Sequence, residues 1–89
     1  MIIYKYHFKL GDTVEIEMPL ASQILSVQIQ NGMYCLWALI DQEITTVVKR
    51  KLAMRGTGNP IKGSLGRYIA TIQNGLFVWH VFDLGEVCI

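Results

Sequence analysis

The sequence predicts an all-β domain, an antiparallel meander of about seven strands closed as a small barrel or packed as a sandwich. Three observations predict it. Apolar and polar residues alternate over most of the 89 positions, the period of a half-buried strand. Two Asn-Gly pairs stand between alternating runs, the strongest local signal for a hairpin. No stretch carries a convincing helical period. The length allows one domain, residues 1–89.

The first strand sets Tyr4, Tyr6, Phe8 and Leu10 on one face and Lys5, His7 and Lys9 on the other. The second sets Val14, Ile16 and Met18 against Thr13, Glu15 and Glu17. Pairing the two as a hairpin across Leu10-Gly11-Asp12 puts Lys5 opposite Glu17, His7 opposite Glu15 and Phe8 opposite Val14. Residues 19–23 form at most one short turn. The next two strands meet at Asn31-Gly32, with Leu25, Val27 and Ile29 beside Tyr34, Leu36 and Ala38 on the core face. Their other face collects Ser26, Gln28 and Gln30 with Met33, Cys35, Trp37 and Leu39.

Asp41-Gln42-Glu43 turns the chain into a strand over Thr45 to Arg55, where Val48, Leu52 and Met54 are in phase with Arg50. Residues 56–66 hold four glycines and a proline and make the one long loop. The last hairpin turns at Asn74-Gly75. It places Tyr68, Ala70 and Ile72 beside Phe77, Trp79 and Val81, with Arg67, Ile69, Thr71, Val78, His80 and Phe82 opposite. Both turns sit in Ile-Gln-Asn-Gly, one local unit used twice.

Composition narrows the function. Hydrophobic residues reach 52% and charged residues only 17%, which excludes a disordered tail. So apolar a composition on so small a chain predicts burial against copies of itself, as a dimer or tetramer, or against a partner. No apolar run is long enough for a membrane span, and the N-terminus lacks the features of a secretory signal. Cys35 and Cys88 match no zinc spacing with His7 and His80, so no metal or cofactor is expected and both thiols read as structural.

The charges are unevenly placed. No carboxylate lies between Glu43 and Asp83, an interval holding Lys49, Arg50, Lys51, Arg55, Lys62 and Arg67, six of the eight basic residues. Such a stretch favours anions; lysines guarding a solvated edge strand produce the same pattern. Arg55-Gly56-Thr57-Gly58-Asn59-Pro60 sets bare amides and a hydroxyl beside an arginine, as phosphate sites do. The same glycines serve equally to turn the chain. Net charge is only +1, so a compact nucleotide fits better than a nucleic-acid polymer. For catalysis, Ser26, Ser64, His7 and His80 show no nucleophile–base spacing, and Asp41 and Asp83 read as turn-capping groups. No catalytic residue is expected.

Ile3-Tyr4-Lys5-Tyr6, Met18-Pro19, Ile24-Leu25-Ser26-Val27-Gln28, Leu36-Trp37-Ala38-Leu39-Ile40-Asp41, Gly56-Thr57-Gly58 and Val78-Trp79-His80-Val81-Phe82 occur in this order. Together they resemble a widespread family of small phage and prophage proteins. The resemblance implies an anti-defence "sponge", like the anti-CBASS and anti-Thoeris proteins, that sequesters a cyclic nucleotide immune signal in the cytoplasm of an infected bacterium. Such a protein is a homo-oligomer that binds without hydrolysing. On this reading Arg50, Lys51 and Arg55 meet phosphates, the Thr57 and Gly58 amides position them, and Trp37 or Tyr34 stacks on a base. The alternative is a protein-binding inhibitor or accessory factor docking through a face that carries Trp37 and His80.

Overall fold

The structure, a computed structural model, describes residues 1–88. It contains seven strands: β1 (Ile2–Phe8), β2 (Thr13–Pro19), β3 (Gln23–Gln30), β4 (Met33–Ile40), β5 (Val47–Gly56), β6 (Arg67–Asn74) and β7 (Phe77–Cys88). All pair antiparallel, in a three-stranded sheet of order β1-β4-β3 and a four-stranded sheet of order β2-β5-β7-β6. The sheets do not close into a barrel; they pack face to face as a sandwich. Among the described residues no helix is long and apolar enough to cross a membrane.

The inner faces supply the core. Val14, Ile16 and Met18 of β2, Leu36 and Ala38 of β4, and Leu52 and Met54 of β5 are buried together with Ile72 and Val81. Each set shows the every-second-residue spacing of a strand buried on one face. Tyr6 and Phe8 of β1 pack at the margin of this core. Burial holds the Tyr6 phenol above its ordinary pKa, and neighbouring Tyr4 adds to the rise. Cys35 is a buried free thiol; the side chain of Cys88 lies outside the described residues.

The largest departure from expectation is the first hairpin, which does not form within the chain. β1 pairs with β4, setting Lys5 beside Trp37 and His7 beside Cys35. β2 pairs with β5, setting Glu15 opposite Lys51 and Glu17 opposite Lys49. The linking residues cross from one sheet to the other. Alternation predicts each strand's two faces but not its neighbour, and β4 offers β1 a longer apolar partner than β2 does.

The β3–β4 hairpin turns at Asn31-Gly32 as expected. Both residues have positive φ (53° and 76°), a type I′ turn. The second hairpin differs, because Asn74 pairs with Phe77 and the two turn residues are Gly75-Leu76. Only Gly75 has positive φ (61°), the pattern of type II′. The same tetrapeptide therefore makes two different turns. The shift moves each partner by two places, so the faces of Ile72, Trp79 and Val81 are kept.

Two bulges correct the predicted core. The β3 register shifts between Ile24 and Ser26, which buries Ile24 and leaves Leu25 exposed. The β6 register shifts between Tyr68 and Ala70, which turns Ile69 toward the core and Tyr68 outward. One extra residue inverts the faces on one side of it.

Candidate functional site

The site forms at one end of the sandwich, where β5 runs out at Gly56 and the chain enters the long loop. Gly56 is level with Trp79 of β7 and Arg55 with His80. A methyl group on Gly56 would meet Asn59 Nδ2 at 2.7 Å and the Trp79 ring at 3.4 Å. The missing side chain is what lets the loop fold back onto the indole. Thr57 N–H donates to the Val78 carbonyl (3.3 Å) and Asn59 N–H to the Gly56 carbonyl (3.2 Å), fixing the start of the loop.

Two cavities meet there. One, of about 310 Å³, is lined by Asp12, Met54, Arg55, Gly56, Asn59, Pro60, Lys62 and Trp79. The other, of about 520 Å³, is lined by Gly56, Thr57, Asn59, Leu76, Phe77, Val78 and Trp79. They share Gly56, Asn59 and Trp79. The first is lined by two basic residues and one acidic residue, while the second is mainly apolar. Phe77 and Trp79 stack with ring centroids 6.0 Å apart and planes inclined by 13°. Leu76, fully exposed, and Phe77, 63% exposed, form the hairpin tip beside them.

Arg55 lies along the rim of the first cavity and donates to the carbonyls of Asp12 (2.8 Å) and Met54 (3.4 Å). Among the described residues it contacts no carboxylate side chain, so its charge stays available to an anion. Thr57 is anchored from the other side. Its hydroxyl bonds His80 Nε2 (2.8 Å), Thr71 Oγ1 bonds His80 Nδ1 (3.1 Å), and the Tyr68 hydroxyl bonds Thr71 Oγ1 (2.7 Å). A neutral imidazole donates from one nitrogen and accepts at the other, so the chain is satisfied in either direction.

Of the seven residues expected at the site, Arg55 lines the first cavity and Thr57 the second. The Thr57 amide, expected to hold a phosphate, is instead taken by the Val78 carbonyl, and Gly58 lines neither cavity. Arg50 departs most from expectation. It is buried at 6% exposure and bonds Asp83 (3.0 Å), Glu86 (2.9 Å) and the Ser22 carbonyl. Its inward phase with Val48, Leu52 and Met54 put it there, and burying a charge requires such partners. Lys51 faces Glu15 on the outer surface of the four-stranded sheet. Tyr34 packs on Phe8 (centroids 5.8 Å apart) and accepts from Asn74 Nδ2 at 3.0 Å.

Trp37 stands on the outer face of the other sheet, level with Lys5 and Ser26. It and His80 alternate with inward residues of different sheets, so they occupy opposite outer faces and form no common docking surface. The acid-free interval is thus compensated in space. Glu17 and Glu15 stand opposite Lys49 and Lys51 in the strand register, Asp83 and Glu86 pair with Arg50, and Arg67 lies 3.8 Å from Asp83. Arg55 and Lys62 remain at the cleft. Trp79, which alternation reads as plain core, becomes its central wall because β5 pairs with β7, a long-range contact with no local signal. Phe77 is signalled locally, by large apolar residues directly after a turn.

A domain of unknown function, DUF7352, matches residues 1–87. The chain belongs to that family. No curated protein and no solved structure matches it.

Proposed function

We propose that this protein binds a compact phosphorylated ligand with an aromatic base, a cyclic oligonucleotide or related nucleotide, and holds it without hydrolysis. The observation that carries the reading is the pairing of two cavities across Trp79, one bearing Arg55 and Lys62, the other walled by stacked aromatics. A nucleotide needs both halves. Its phosphate takes charge-assisted hydrogen bonds, and its base stacks on an aromatic face. Asp12, an acidic residue lining the first cavity, suits a donor such as a ribose hydroxyl or a base amine beside the phosphate that Arg55 takes.

Retention without turnover is supported by the His80 cluster. A threonine hydroxyl bonded to an imidazole is the first half of a nucleophile–base pair, but the far ring nitrogen meets Thr71 and no carboxylate. An imidazolium formed there lacks the anion that steadies it in a triad. Together with the phage-protein resemblance, this supports a sponge that removes a cyclic nucleotide immune signal in the host cytoplasm.

The test is to mix the protein with a panel of cyclic di- and trinucleotides, wash it, denature it by heat and identify what is released. Intact nucleotide is expected, with Arg55→Ala weakening binding by roughly tenfold or more, the weight of one charge-assisted hydrogen bond. Cleaved nucleotide would mark an enzyme, and no retention of any would remove this ligand class. A second reading, docking of a protein partner, is favoured by the exposed tip at Leu76 and Phe77. Loss of a stoichiometric partner with Leu76→Ser, while nucleotides stay unbound, would select it.

A further inference from the structure

Beyond ligand binding, the structure leaves two strand edges open on one side of the sandwich. β1 ends the three-stranded sheet and β2 ends the four-stranded one. An open cleft of about 620 Å³ runs between them, with His7, Phe8 and Leu10 on one wall and Val14, Glu15 and Ile16 on the other. β1 is strongly apolar yet exposed, Ile3 at 62% and Tyr4 at 49%. Bare apolar edges of this kind are templates for strand addition.

The charges identify what fits. The outward residues of β1 include Lys5 and His7, and those of β2 include Glu15 and Glu17. We propose that these edges join two copies of the chain, β1 of each pairing antiparallel with β2 of the other about a two-fold axis parallel to the strands. Such an axis exchanges the two sheets but keeps every residue at its own level. Residues 9–12 link β1 directly to β2, so Phe8 and Val14 start from nearly the same level. The register between copies is therefore Lys5 to Glu17, His7 to Glu15 and Phe8 to Val14. That is the pairing the alternation predicts and the single chain does not make.

The outer surface then carries alternating rows, Lys49–Glu17–Lys5 and Lys51–Glu15–His7, each crossing the junction. Inside, Tyr4, Tyr6 and Phe8 continue the rows of Met18, Ile16 and Val14. Pairing stops at Pro19, which has no N–H to give. The competing two-fold, perpendicular to the strands, sets β1 against β1 and β2 against β2. It brings lysines together on one edge and glutamates on the other, which like-charge repulsion disfavours.

Sedimentation velocity on the wild-type chain, on Lys5→Glu, on Glu17→Lys and on the double variant decides this. Wild type is expected to dimerise, and each single variant to dissociate roughly tenfold or more readily. The double variant is expected to recover most of the loss. Within one chain Lys5 and Glu17 lie in different sheets, so recovery can come only from contact between copies. Both are exposed, and cooperative urea unfolding of each variant at a concentration where all are monomeric would establish that the variants fold. A wild-type chain that stays monomeric at the highest soluble concentration overturns the proposal. So does a dimer indifferent to both charge reversals.

Discussion

Replacing Arg50 with Met tests how the interior is held. The Arg50 side chain is 8% exposed and bonds Asp83 and Glu86, whose side chains are 9% and 27% exposed. It also bonds the Ser22 carbonyl, while Ala21 N–H donates to Glu86 at 2.7 Å. One side chain thus ties the turn between β2 and β3 to β5 and β7. Without it, Asp83 keeps the Gly85 amide (2.8 Å) and a distant Arg67 (3.8 Å) as partners. Stranding a buried carboxylate costs about 3–5 kcal/mol. A domain of 89 residues has roughly 4–13 kcal/mol in all, so the loss is a large share of the total. Urea unfolding followed by tryptophan fluorescence would show the midpoint falling steeply with the slope unchanged. Adding Asp83→Asn and Glu86→Gln removes the stranded charges, and at least half the loss should return. An unchanged midpoint for Arg50→Met, or a triple variant no better than the single one, would refute the account.

Two further outcomes follow from the glycines. Gly66 has φ +73°, and a Cβ there would lie 2.1 Å from the Asp83 carbonyl oxygen. Gly66→Ala is therefore expected to cost about 2 kcal/mol or more, read as a lowered urea midpoint, since neither backbone can yield cheaply. Gly56→Ala meets chiefly the Asn59 side chain, which can swing aside, so stability should fall by about 1 kcal/mol or less. Nucleotide retention should fall further than stability does, because the displaced amide enters the cleft; equal retention would place the ligand elsewhere.

Much of the fold was legible in the chain because strand faces are a local property. Alternation placed Val14, Ile16, Met18, Leu36 and Val81 inward, and Asn31-Gly32 marked its hairpin. It failed at Leu25 and Tyr68, where a single bulged residue inverts the faces with no residue type to announce it. It failed again at Asn74-Gly75, where Gly75 suits the first place of a type II′ turn as readily as the second of a type I′ turn. In the candidate site, the Arg-Gly-Thr-Gly segment was visible because glycine next to a cation has a local meaning. The wall that completes it was not, since Trp79 reaches Gly56 only through the pairing of β5 with β7.

The amino-acid order alone determined an all-β chain, the inward phase of most strands and a glycine-rich loop beside Arg55. Tertiary structure decided which strands are neighbours, and with them the fate of every charge. Glu15 and Glu17 turned from β1 to β5, and Arg50 went from a surface cation to a buried tie. The physical reason is one of range. Side-chain alternation is set by backbone geometry within two residues, whereas strand pairing and charge compensation depend on which apolar surfaces exclude water together.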